Sequence, residues 1–116
     1  MKWQVAELMG YAHFAEKGYR IFVPLIGGEG YDFIASKGRE MVRVNVKVAG
    51  LKDKTDPLSW SVSKASGSSV KPTVKVECDV FLVYMTNIGR FIELSGDFFR
   101  DSRSKSKRVP RELFLS

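Results

Sequence analysis

An α/β domain with a mixed central sheet of about five strands flanked by helices is predicted by three observations. Trp3 to Lys17 repeats apolar residues at helical spacing, Met41 to Val48 alternates apolar and polar residues at strand spacing, and Val80 to Tyr84 is apolar throughout. The 116 residues suffice for one domain, 1–116, with one small core and a basic C-terminal segment, 100–116.

Each element has its own sequence cause. In the first, Val5, Leu8, Met9, Ala12 and Ala15 recur at three- and four-residue spacing, and Gly18 follows Glu16-Lys17 as a helix-ending glycine. This is an amphipathic helix. Tyr19 to Val23 is a β-branched and aromatic run stopped by Pro24, and Gly27-Gly28-Glu29-Gly30 is a turn before a second strand, Tyr31 to Ala35. Ser36-Lys37-Gly38 then turns the chain into Met41 to Val48, with Val42, Val44, Val46 and Val48 on one face and Arg43, Asn45 and Lys47 on the other. The polar segment from Lys52 to Pro72 reads mostly as loop, with part of it an edge strand. Val80 to Tyr84 is a strand buried on both faces, and Arg90 to Leu94 its short antiparallel neighbour. From Arg100 to Arg111 six of twelve residues are Lys or Arg, which fits a helix with a basic face or a disordered basic arm. The closing Leu113-Phe114-Leu115 would dock on the domain or on another subunit.

Composition narrows the function classes. Hydrophobic residues at 44% and charged residues at 28% exclude a disordered or collagenous chain, and 19 Lys+Arg against 13 Asp+Glu give a net charge of +6, which favours a polyanionic partner such as nucleic acid. The single cysteine, Cys78, excludes an intramolecular disulfide and a cysteine-cluster metal site. No apolar stretch approaches the ~20 residues that span a bilayer, and Met1-Lys2-Trp3-Gln4 leads into no signal-peptide core. A cytoplasmic protein with no membrane partner is the expectation. His13, the one histidine, reads as structural, and Cys78 as a small buried hydrophobe. The glycine turn lacks a P-loop lysine and precedes a strand, so it is no nucleotide cradle.

One set of polar residues can carry chemistry. Asp32 begins the second strand, and Asn45 and Lys47 lie two apart on the third, across a hairpin whose strands run about 5 Å apart. A carboxylate, an amide oxygen and a backbone carbonyl suit a hard cation such as Mg²⁺, and a neighbouring ammonium can orient a water and stabilise charge on a phosphate. Glu7 completes the set if the helix packs across the sheet.

These residues, in the order Glu7, then Gly18-Tyr19-Arg20-Ile21-Phe22-Val23-Pro24, then Tyr31-Asp32-Phe33-Ile34, then Val44-Asn45-Val46-Lys47, resemble the PD-(D/E)XK nuclease core. The likeness is greatest to the small group I intron homing endonucleases and the Holliday junction resolvases, and covers residues 3 to 48. Cys78-Asp79-Val80-Phe81-Leu82-Val83-Tyr84 is similar to a later core strand of that restriction endonuclease-like fold. The resemblance implies a Mg²⁺- or Mn²⁺-dependent DNA endonuclease, acting on double-stranded or branched DNA as a homodimer or homotetramer, prokaryotic or phage-encoded. It implies metal ligation by Asp32, Asn45, the Val46 carbonyl and Glu7, with Lys47 as the catalytic lysine. DNA phosphates would meet Arg43, Lys64, Lys71, Lys75, Arg100, Arg103, Lys105, Lys107 and Arg108.

Asn45 departs from the pattern, since the family has Glu, Asp or Gln there. A neutral amide lowers cation affinity and leaves the charge to Asp32 and Glu7, unless Glu40, Glu77 or Asp79 substitutes from elsewhere. A DNA-binding protein on the same scaffold, with cleavage attenuated by Asn45, is therefore the alternative. An unrelated basic module for RNA or protein is a third reading.

Overall fold

The computed structural model describes residues 1–26, 30–63, 77–100, 104 and 106–115. Helix α1, Trp3–Glu16, is followed by β1 (Arg20–Phe22), β2 (Phe33–Lys37), β3 (Glu40–Val48), β4 (Gly50–Leu51), β5 (Trp60–Ser63), β6 (Val80–Met85), β7 (Arg90–Ser95) and β8 (Ser106–Arg108). A short 3-10 turn, Arg111–Leu113, comes last. Five strands form one sheet in the order β1-β2-β3-β6-β7, antiparallel except where β3 pairs with β6 in parallel. The predicted mixed α/β sheet of five strands is thus the observed one.

The chain leaves α1 through a cap that its glycine makes possible. Gly18 has φ of +90°, its N–H donates to the Ala15 carbonyl, and the Tyr19 N–H donates to the Phe14 carbonyl, the paired bonds that close a helix end through a left-handed residue. The chain then reverses into β1, which lies beside β2.

Three sequence expectations are corrected. The helix does not bury its Val5, Leu8, Ala12, Ala15 stripe; it buries Ala6, Gly10 and Phe14, and leaves Val5, Leu8, Ala12 and Ala15 exposed. Spacing alone is ambiguous here because both faces of α1 are apolar or small, and the close fit at Gly10 decides between them. A Cβ on Gly10 would sit 3.1 Å from Val46 Cγ2 and 3.3 Å from Leu82 Cδ2, so the helix lies nearly on the sheet. Second, among the described residues α1 is the one α-helix, and the opposite face of the sheet is covered by a second sheet, β4-β5-β8, in place of a flanking helix. Third, the basic stretch is neither helix nor arm where described: Ser106–Arg108 is strand β8, paired antiparallel with β5. Its alternation is too short to register as strand in a sequence dominated by charge.

Two apolar layers result. Under α1, Phe14, Phe33, Ala35, Val44 and Leu82 pack together, flanked by Tyr11, Tyr19, Val46 and Phe91. On the other face, Phe81, Val83, Met85, Ile92 and Leu94 meet Val62, Val109, Phe99 and Phe114. Phe114, at the centre of the closing apolar triplet, is therefore docked on the domain, and Cys78 is a free, buried thiol. Val80–Met85 lies between the layers, the physical reason for its unbroken hydrophobicity. Among the described residues no helix is long and apolar enough to cross a membrane.

Because Gly10 sets the approach of α1 to β3, Gly10→Val is expected to destabilise the protein by about 1–3 kcal/mol through overpacking. Chemical denaturation measures this, and unchanged stability would show that the helix has room to move.

Candidate active site

The polar residues picked out by the sequence meet where β2 begins. That strand starts at Phe33, two residues later than the sequence predicts, so Asp32 stands just before it and its side chain turns to the neighbouring backbone. The Asp32 N–H donates to the Val44 carbonyl at 2.8 Å, and Asp32 Oδ2 accepts the Val46 N–H at 2.6 Å. In an extended strand the N–H and C=O of one residue point to the same side. The Val46 carbonyl therefore opens towards Asp32, beside the place where β2 has not yet begun.

Asn45 and Lys47 point away from α1, as the alternation requires. That face is not the solvated surface of a hairpin, because Cys78 and the second apolar layer close over it and half-bury Lys47. Asn45 Nδ2 donates to the Gly30 carbonyl at 3.3 Å, which leaves Oδ1 as the amide's acceptor. Glu7 comes from the other face, on α1, and accepts a hydrogen bond from the Tyr11 hydroxyl at 3.1 Å. Tyr11 in turn stands edge-on to Phe33 with ring centroids 5.0 Å apart. Sequence reasoning missed Tyr11 and the Gly30 carbonyl as supports; the four-residue spacing from Glu7 signals the first, and nothing local signals the second.

The electrostatics tie these groups to one another. Burial pushes the Asp32 carboxyl up, against the opposing pull of the Val46 N–H and the Lys47 charge. Burial pushes Lys47 down, and the Asp32 carboxylate opposes it. Glu7 is raised by burial and then by the negative charge of Asp32, which the Tyr11 hydroxyl partly offsets. Tyr11 itself is pushed up to about 12, by burial first and then by Glu7. Asp32 thus couples to Glu7 on one side and to Lys47 on the other across a partly desolvated corner, with Asn45 and the Val46 carbonyl adding neutral oxygens. Among the described residues no three of His, Cys, Asp and Glu converge into a metal cluster, so a cation here would rely on those neutral oxygens as well.

Other candidates lie apart. Cys78 is pushed up to about 11 by burial and by the charge of Asp79, so it is a protonated thiol at neutral pH and no nucleophile. His13 stacks edge-on against Phe14 and Phe91, and its Nε2 stands 3.7 Å from Glu93 Oε2, beyond hydrogen-bond reach. Of the three substitute acids, Glu40 accepts from the Tyr19 hydroxyl at the far hairpin turn, at 3.0 Å. Asp79 is engaged by Arg43: its Oδ2 accepts the Arg43 N–H at 2.8 Å, and Nε and Nη2 lie 3.2 Å from the two carboxylate oxygens. Glu77 runs close to the corner, its main chain and Cβ against Gly30.

The basic residues are dispersed and tethered. Arg43 clasps Asp79, Arg100 reaches Asp97 at 2.7 Å, Arg108 lies 3.7 Å from Asp56, and Lys107 donates to the Phe98 carbonyl at 2.6 Å while lying over its ring. Lys64, Lys71, Lys75, Arg103 and Lys105 lie outside the described residues.

Comparison with known proteins gives the arrangement its context. The family model for the PD-(D/E)XK endonuclease matches residues 2–108. Among solved structures, a bacterial homing endonuclease, I-Ssp6803I, superposes with a TM-score of 0.72 at 17% identity, over 94% of this chain and 76% of that one. This likeness is one of fold. No curated protein matches the sequence significantly.

The charge balance of the corner has a measurable consequence. The folded pKa of Asp32 is raised, so its contribution to stability is fully present below the unfolded carboxyl pKa and is lost as pH rises through the folded value. Asp32→Asn keeps an acceptor for Val46 and escapes that loss. In chelator it is expected to melt above the parent protein at neutral pH, with the difference closing towards about pH 3. Calorimetry across that range checks it, and equal melting at neutral pH would count against a desolvated carboxylate.

Proposed function

The chain belongs to the PD-(D/E)XK endonuclease family, and from that premise we propose that it is a Mg²⁺- or Mn²⁺-dependent endonuclease that hydrolyses phosphodiester bonds of double-stranded or branched DNA. The observation that carries the reading is the juxtaposition of Asp32, Lys47 and Glu7, with Asp32 Oδ2 on the Val46 N–H at 2.6 Å.

The donor set fits a hard divalent cation. All its atoms are oxygens, two of the groups are carboxylates, and each carboxylate is pushed towards its neutral form by burial, a cost that a cation would offset. Asp32, Asn45 through Oδ1, the Val46 carbonyl and Glu7 would hold it. When bound, such a cation supplies Lewis acidity, lowering the pKa of water and neutralising phosphate charge.

The rest is done by the chain's own groups. Lys47 orients the attacking water and places positive charge where the phosphate gains negative charge. Its burial lowers its pKa, while the Asp32 carboxylate opposes that shift and favours the ammonium. Tyr11 fixes the Glu7 carboxylate, and Gly30 fixes the orientation of the Asn45 amide. The exposed pairs made by Arg100 and Arg108 are individually weak, about 0–1 kcal/mol, so DNA phosphates can compete for those guanidinium groups. The likeness to a homing endonuclease supports action on duplex DNA, and cutting both strands would use two copies of the chain.

Asn45 favours one second reading, a DNA-binding protein in which the neutral amide has weakened the cation site. The two are separated by plasmid and four-way-junction cleavage beside gel-shift binding. For the nuclease, Lys47→Ala is expected to lower the cleavage rate by about 10²–10³ with binding retained. Asn45→Asp is expected to lower the Mg²⁺ concentration needed for cleavage. Binding without cleavage by the parent chain, with activity gained in Asn45→Asp, would establish the attenuated binder; neither binding nor cleavage would overturn both.

A further inference from the structure

Helix α1 carries a second apolar face that the fold leaves uncovered. Val5, Leu8, Ala12 and Ala15 repeat at intervals of three and four residues, and Met1 continues the series one step upstream. At ~100° per residue this stripe lies about 180° around the helix from the buried Ala6, Gly10 and Phe14. Its large members are open to solvent, Val5 at 44%, Leu8 at 64% and Met1 at 55%. The intervals are those of the seam by which one helix packs along another.

We propose that this stripe is the contact between two copies of the chain, with the two α1 helices packed antiparallel across a two-fold axis near residue 10. Three features of the stripe select that occupant and that direction. The first is shape: an antiparallel pair centred at residue 10 sets Leu8 against Ala12 of the second copy and Val5 against its Ala15, large against small along the whole seam. A parallel pair sets Leu8 on Leu8 and Ala12 on Ala12, leaving a gap at each alanine layer.

The second is charge. Lys2 caps the start of the helix and Glu16 ends it, both exposed. On a helical projection both flank the stripe on the same side, so the antiparallel pair brings Lys2 of each copy beside Glu16 of the other, twice by symmetry. The third is the helix dipole, since each Glu16 then also lies near the positive end of the other helix. A 14-residue helix is about 21 Å long, so the pair covers less than the ~800 Å² per partner of a standard interface, and the dimer is expected to be of micromolar strength. This contact is independent of the chemistry proposed for Asp32 and Lys47, and its test does not read cleavage.

Sedimentation of the full chain from about 10 to 300 µM is expected to show a monomer–dimer equilibrium. Leu8→Glu, an exposed position, is expected to weaken association about tenfold or more with its melting temperature retained. Glu16→Lys is expected to weaken association, and Lys2→Glu combined with Glu16→Lys to restore it. Orientation is read by oxidative cross-linking: Val5→Cys with Ala15→Cys is expected to link two chains, and Val5→Cys alone not, its two copies being about 15 Å apart along the antiparallel pair. A parent chain monomeric throughout, or a dimer indifferent to Leu8→Glu, would overturn the proposal. Cross-linking by Val5→Cys alone would overturn its antiparallel direction.

Discussion

The central position of β3 is the constraint on which the other features depend. Pairing antiparallel with β2 and parallel with β6, this strand is covered on one face by α1 and on the other by the β4-β5-β8 sheet. Its alternating side chains therefore enter two different interiors. Val44 and Val46 complete the layer beneath the helix, whereas Asn45 and Lys47 are driven into the opposite layer, where polar groups need partners. The partners are found because β2 stops short. Asp32, the last residue before it, turns its carboxylate onto the β3 backbone and stands beside Lys47.

That arrangement places charge where apolar packing alone would not. Burial disfavours the charged forms of Asp32, Glu7 and Lys47; the attraction between Asp32 and Lys47 and a few hydrogen bonds offset part of this, while the charge of Asp32 adds to it at Glu7. Such a corner costs folding free energy. The exposed clasp between Arg43 and Asp79 works differently. It joins β3 to the residue that precedes β6 through main-chain as well as side-chain bonds, so it belongs to the register of the sheet.

The two sides of α1 illustrate how little of a helix is decided by its own pattern. Both sides are apolar or small, and the one that packs inward is the one that lets the backbone approach. Gly10 admits Val46 and Leu82, Ala6 is fully buried, and Phe14 fills the end of the layer. A helix with apolar residues all round is suited to be covered on both sides. Its outward stripe is on the face opposite the sheet, so a contact there and the corner around Asp32 can coexist.

By itself the sequence determined the mixed five-stranded sheet, the strand identity of β3 and β6, and the small set of polar residues worth following, because each rests on local periodicity or on adjacency along the chain. The order of Glu7, Asp32, Asn45 and Lys47 was equally legible, being one-dimensional information. Tertiary structure alone decided which face of α1 is buried, that a second sheet covers the far side of the first, and that β8 is a strand. It also decided that Lys47 is half-buried and that Tyr11 and Gly30 support the site. These outcomes depend on which surfaces can approach closely enough to exclude water, and that is a property of two elements together, which no single stretch of sequence contains.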